Sequence, residues 1–179
     1  MNILDTILQS QGGALVRQLA GTLGIDERSL QSVMGQVVPA LARGIQRNAA
    51  SQEGSSSLFD ALARGNHQRY LERPESLADR ETQLDGNAIL GHIFGSKDVS
   101  RNVAGYAARE TGVSTSVIKK LLPLLAPVVM GALSSRASSA GMLSGGGSSS
   151  SLGTLGSFLD FDNDGSVVDD VLNIARRFF

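Results

Sequence analysis

Residues 15–44, LVRQLAGTLGIDERSLQSVMGQVVPALARG, return in altered form as residues 103–132, VAGYAARETGVSTSVIKKLLPLLAPVVMGA, and the two align without a gap. Ala20 then meets Ala108, Gly24 meets Gly112, Ile25 meets Val113, Leu30 meets Ile118 and Pro39 meets Pro127. Each copy predicts the same local path. A first helix ends at glycine, the residue that enters the left-handed region at little steric cost. A polar residue, Asp26 or Ser114, then starts a second helix. That second helix carries a proline well inside it, which removes a backbone donor and predicts a kink. A duplicated helix pair predicts two like halves packed about a pseudo-twofold axis.

Hydrophobic periodicity supports both second helices. Leu30, Val33, Met34, Val37, Val38, Leu41 and Ile45 form one apolar stripe at helical spacing. In the second copy Val117, Ile118, Leu121, Leu122, Leu125, Val128, Val129 and Leu133 form another, and Leu124 and Ala126 fill much of the opposite face. A helix apolar nearly all round belongs at the centre of a fold. Only 4% of the 179 residues are aromatic, and none is Trp, so the core is aliphatic and packed helices are favoured over sheets. The expected fold is therefore all-α, a bundle of six or seven helices over residues 1–136.

Between the copies, Leu58, Phe59 and Leu62 predict a short helix and 88–94 predicts another, ending at Gly95. The polar stretch RPESLADRETQLDGN between them reads as a loop. Residues 134–157 are mostly Ser and Gly, sixteen of twenty-four, so a linker is expected over 137–157. Residues 158–179 are left as a separate acidic segment with a terminal helix.

At this point the chain resembles a bacterial family, domain of unknown function 937. The resemblance rests on the Gly/Pro helix pairs, on LFDALARGNHQRYL followed by DGNAILGHIFGSKD, and on the Ser/Gly stretch leading to LDFDNDGSVVDDVLNIARRFF. It implies a soluble helical bacterial protein and implies no activity.

The acidic segment is the most chemically specific part of the chain. Asp160, Asp162 and Asp164 alternate like positions 1, 3 and 5 of a calcium loop, Gly165 stands where its turn needs glycine, and Ser166 is placed to offer a backbone carbonyl. Position 12, where a bidentate Glu belongs, is Val171; Asp169 and Asp170 precede it and one of them could complete a shortened loop. A simpler device overlaps this one. Ser166 to Asp169 has the form of a capping box, and Asp169 and Asp170 suit the positive end of a helix dipole. The cap accounts for the later carboxylates and leaves Asp160, Asp162 and Asp164 repelling one another unless a cation, best matched by Ca²⁺, neutralises them.

Other chemistry has less behind it. The helix pairs have the small, glycine and aliphatic spacing of a DNA-binding helix-turn-helix, and Lys119 and Lys120 begin the second copy's second helix. Sixteen basic and seventeen acidic side chains, however, supply no net attraction to phosphate. His67 reads as a helix-end residue and His92 as a partly buried, hydrogen-bonded one, neither as a base. Ser clusters sit in the linker, and no phosphate loop is present, so no enzyme is expected.

Without cysteine the chain has no disulfide or thiolate metal site, which suits a reducing cytoplasm. MNILDTILQSQGG carries Asp where a secretory leader carries Lys or Arg. The uncharged run LLPLLAPVVMGAL falls short of the roughly 20 residues of a membrane span and reads as core. The terminal VLNIARRFF has Val171, Leu172, Ile174, Ala175, Phe178 and Phe179 to bury. The expected partner is therefore the chain itself, as a homo-oligomer, or another protein, with nucleic acid as the alternative.

Overall fold

Gly24 (φ 67°) and Gly112 (φ 72°) both take the left-handed conformation that closes a helix. In the first copy the Ile25 N–H donates to the Ala20 carbonyl, and in the second the Gly112 N–H donates to the Ala108 carbonyl. The next helix begins three residues after each glycine. The computed structural model describes residues 3–9, 13–139 and 141, and their regular structure is helical throughout. In order these are α1 Ile3–Gln9, α2 Ala14–Leu23, α3 Glu27–Ala49, α4 Gln52–Arg64, α5 Arg69–Glu72, α6 Arg80–Phe94, α7 Lys97–Thr111 and α8 Thr115–Ser139. A 3-10 turn, Pro74–Ala78, joins α5 to α6. The all-α expectation holds, with more helices than the six or seven read from sequence.

The duplicated pairs are α2–α3 and α7–α8. Each second helix touches its own first helix and also the first helix of the other copy, the reciprocal contacts expected of two like halves. The starts differ in detail. Asp26 Oδ1 accepts from the Ser29 N–H at 2.9 Å, whereas the Ser114 hydroxyl pairs with that of Ser116 at 3.0 Å. Pro39 lies inside α3, and Pro123 and Pro127 lie inside α8.

α8 is the hub. It packs against every other α-helix, most extensively against α6. Leu121, Leu122, Leu124, Leu125, Val128 and Val129 are all buried, so nearly its whole circumference is core. Fully burying one such side chain contributes about 1.5–3 kcal/mol. By length and composition α8 is long and apolar enough to cross a bilayer, and 72% of its most apolar stretch lies inside the bundle. The expectation of a buried core helix is met by a longer helix than the apolar run alone indicated.

Two expectations are corrected. The stretch read as a polar loop, 73–87, holds the 3-10 turn and the first half of α6. Thr82, Gly86, Leu90 and Ile93 form the buried side of α6, and two of those four are not apolar. Gly86 rests directly on α8, where a Cβ would overlap the Pro123 carbonyl oxygen. Pro127 has no N–H with which to occupy that carbonyl, so glycine closes over a backbone group that the helix leaves open. The second correction is at the Ser-rich tract: residues 134–139 are the last turns of α8, and buried Ser134 donates to the Leu62 carbonyl at 3.3 Å.

Candidate functional site

The residues expected to hold a cation, Asp160, Asp162, Asp164, Ser166, Asp169 and Asp170, lie outside the described residues, as does the terminal helix. Among the described residues no group of three or more metal-ligating side chains converges. The candidate site in the body is instead built where α4 turns into α5, facing α6.

α4 ends at Gly65, whose N–H donates to the Ala61 carbonyl at 2.8 Å. The chain folds back through Asn66 and His67, and two glycines make room for that turn. A Cβ at Gly65 would overlap the His67 ring, and a Cβ at Gly131 of α8 would overlap the His67 carbonyl. His67 is thereby seated on the hub helix and left half-buried. Its ring stacks on Tyr70, centroids 6.3 Å apart and planes 25° from parallel. Tyr70 is buried and its hydroxyl donates to Asp85 of α6 at 2.7 Å. Arg69 donates to the Tyr70 hydroxyl at 2.7 Å and to Asp85 at 3.2 Å, with its guanidinium 4.8 Å from the Tyr70 ring centroid. These three residues tie α5 to α6.

The electrostatics follow from the packing. Burial pushes the His67 imidazole below its ordinary value; Asp85 opposes this and Arg69 reinforces it. The ring is therefore held neutral. Burial raises the Tyr70 phenol, against the hydrogen bond from Arg69, so Tyr70 stays a donor to the Asp85 carboxylate. Arg69 stays cationic, held mainly by its bond to Tyr70.

Two hollows open beside His67 and share part of their lining. The outer one, about 320 Å³, is lined by Asn66, His67, Arg69, Asp85, Ala88 and His92 among others. The inner one, about 170 Å³, shares His67, Ile89 and His92 and is floored by Ile45, Leu58, Ala61, Ile93 and Met130. A third hollow of about 310 Å³ shares Asn66 and Arg69 with the outer one and is lined further by Glu72, Arg73, Asp79 and Glu81. An apolar chamber with a few polar groups at its mouth is the usual form of a binding cleft.

Sequence reasoning set both histidines aside and missed this cleft. His67 does follow a helix end, but its ring packs on Tyr70. His92 was expected partly buried and is exposed; its backbone carbonyl accepts from Asn48 at 2.6 Å. The available signal was the glycine two residues before the histidine in RGNHQRY, since Gly65 lets the His67 ring come close. The helix-turn-helix comparison is also sharpened. Lys119 and Lys120 are exposed at the start of α8, and from Leu121 to Ser134 every residue except Pro123 is buried.

A family model described as a bacterial protein of unknown function, domain of unknown function 937, matches residues 5–136. No curated protein and no solved structure matches the chain.

Proposed function

The chain belongs to the bacterial family of unknown function numbered 937, and we propose that it is a non-enzymatic protein-interaction module whose C-terminal segment is its docking element. The observation that carries this reading is a contrast within the chain. In the body, Arg69, Tyr70 and Asp85 satisfy one another and leave no activated nucleophile or base among them. In residues 158–179, by contrast, alternating carboxylates and an apolar run both call for something to bind.

In this reading Asp160, Asp162, Asp164 and the Ser166 carbonyl, with Asp169 or Asp170, hold Ca²⁺. The ion neutralises the alternating charges, and the turn it closes sets the direction of the following helix. Affinity is modest because the bidentate Glu is missing. The working place is the cytoplasm, in keeping with a sequence that has no cysteine. Two measurements test the proposal. Deleting 152–179 is expected to uncover apolar surface on the body and raise the fluorescence of a hydrophobic dye; unchanged fluorescence would reject docking by this segment. Calorimetric titration of Ca²⁺ is expected to give heat with the native chain and none with a triple Asp160, Asp162 and Asp164 to Ala variant; equal heats reject the ion site.

A further inference from the structure

We infer that the cleft beside His67 is the receptor for residues 171–179 of the same chain, with Phe178 or Phe179 inserted in its inner chamber. The inference rests on the reading that the C-terminal segment is the docking element, and adds the surface it occupies and the choice of its own chain over a neighbour.

Size is the first argument. An apolar cavity of about 150 Å³ accepts a benzene ring. The inner chamber, about 170 Å³ and floored by Ile45, Leu58, Ala61, Ile93 and Met130, therefore holds one phenyl side chain. The outer hollow, about 320 Å³, leaves room for the neighbouring turn of helix. The body is poor in aromatic residues, yet the segment 171–179 carries two, side by side.

Charge is the second argument. Two cations, Arg176 and Arg177, stand immediately before the phenylalanines. The outer hollow itself sets Asp85 beside Arg69, and the neighbouring hollow adds Glu72, Asp79 and Glu81 against Arg73, so acids outnumber bases around the cleft. The hollow lined by Glu72, Asp79 and Glu81, with Arg73, shares Asn66 and Arg69 with the outer one. His67, held neutral, presents no charge to repel either arginine.

The third argument is position. Gln68 donates to the Ser138 hydroxyl at 3.3 Å, and Gly131 lies against the His67 carbonyl, so α8 delivers its C-terminal end to the cleft. Residues 140–170 then separate that point from the segment; a Ser/Gly-rich sequence of that length has a reach of roughly 30 Å. A tether of that reach sets an effective concentration near millimolar. A contact of millimolar strength is therefore well populated within one chain and negligible between chains at micromolar concentration, which selects the chain's own cleft.

The chain lacks cysteine, so a nitroxide can be attached to the native sequence at one site, Asn173→Cys. Only two histidines and four methionines are present, so His67, His92 and the Met130 methyl give sparse NMR reporters. The label is expected to broaden all three signals in the full-length chain, equally at high and low concentration. Replacing Phe178 and Phe179 with Ala is expected to restore them, without touching the helical body. Unbroadened signals overturn the inference. So does broadening seen only when nitroxide-bearing chain without isotope is mixed with isotope-bearing chain without nitroxide, since that places the segment on a neighbour. These signals do not depend on the dye fluorescence or the calcium heats, so the failure of one reading is distinguishable from the failure of the other.

Discussion

The two copies of the helix pair obey one local grammar and occupy different environments. α3 and α8 both begin three residues after a left-handed glycine, and Pro39 and Pro127 stand at the same step. α3 keeps an amphipathic stripe, with Gln36 half-buried at its margin. α8 has Leu124 at the matching position, buried to 2% exposure, and adds Pro123 where α3 has Gly35. The difference shows that the turn is set by a few residues near the glycine, while the depth at which a helix is buried is set by the rest of its circumference.

Exchanging residues between copies should break this comparison first. Leu124→Gln, which gives α8 the residue of α3, loses the burial of a leucine and strands an amide in the core, a cost of about 3–5 kcal/mol in a denaturant melt. The converse, Gln36→Leu, should change stability by less than about 0.5 kcal/mol. A similar tolerance of both changes would mean that the two helices are equally buried in solution. The glycines give the next largest contrast. Gly86→Ala pushes against the Pro123 carbonyl of α8 and should cost about 1–3 kcal/mol. Gly35→Ala meets nothing within 4 Å and should gain about 0.5–1 kcal/mol from better helix propensity. Thermal melts of the pair should move in opposite directions.

Acid probes the segment between the copies. His67 titrates below its ordinary value of 6.5 when folded, so the unfolded chain takes up its proton first as pH falls. Stability is then full above pH 6.5 and is lost as pH falls from there through the folded value. His67→Gln should flatten that limb of a Tm-against-pH curve, and an unchanged limb would assign the acid sensitivity elsewhere. The smallest effect is expected at the caps. Asp26→Ala removes an acceptor from the Ser29 N–H and should lower Tm measurably. Ser114→Ala removes only a hydroxyl contact with Ser116 and should lower it less.

What the sequence revealed follows from the same contrast. The duplicated pairs were legible because glycine, cap and proline are local signals repeated in register. The first half of α6 was not, because its buried face reads Thr82, Gly86, Leu90, Ile93. Thr82 turns its hydroxyl to the Ser76 carbonyl, and Gly86 is there for its lack of a side chain. Neither registers as hydrophobic periodicity. The cleft was less legible still, since His67 and His92 come to line one hollow only after α6 has been laid on α8, and the spacing between them does not encode that.

One consequence of the hub helix concerns the order in which the molecule is made. α1 packs on α3 and α8, so Ile3 and Ile7 complete their contacts only when α8 arrives. At 5–20 residues per second, more than a hundred residues of synthesis separate them, on the order of ten seconds. For that time the early helices carry apolar faces without their principal partner. Once α8 emerges it finds every one of its neighbours already made, so the most bilayer-like stretch in the body is the one with the shortest wait before it is enclosed.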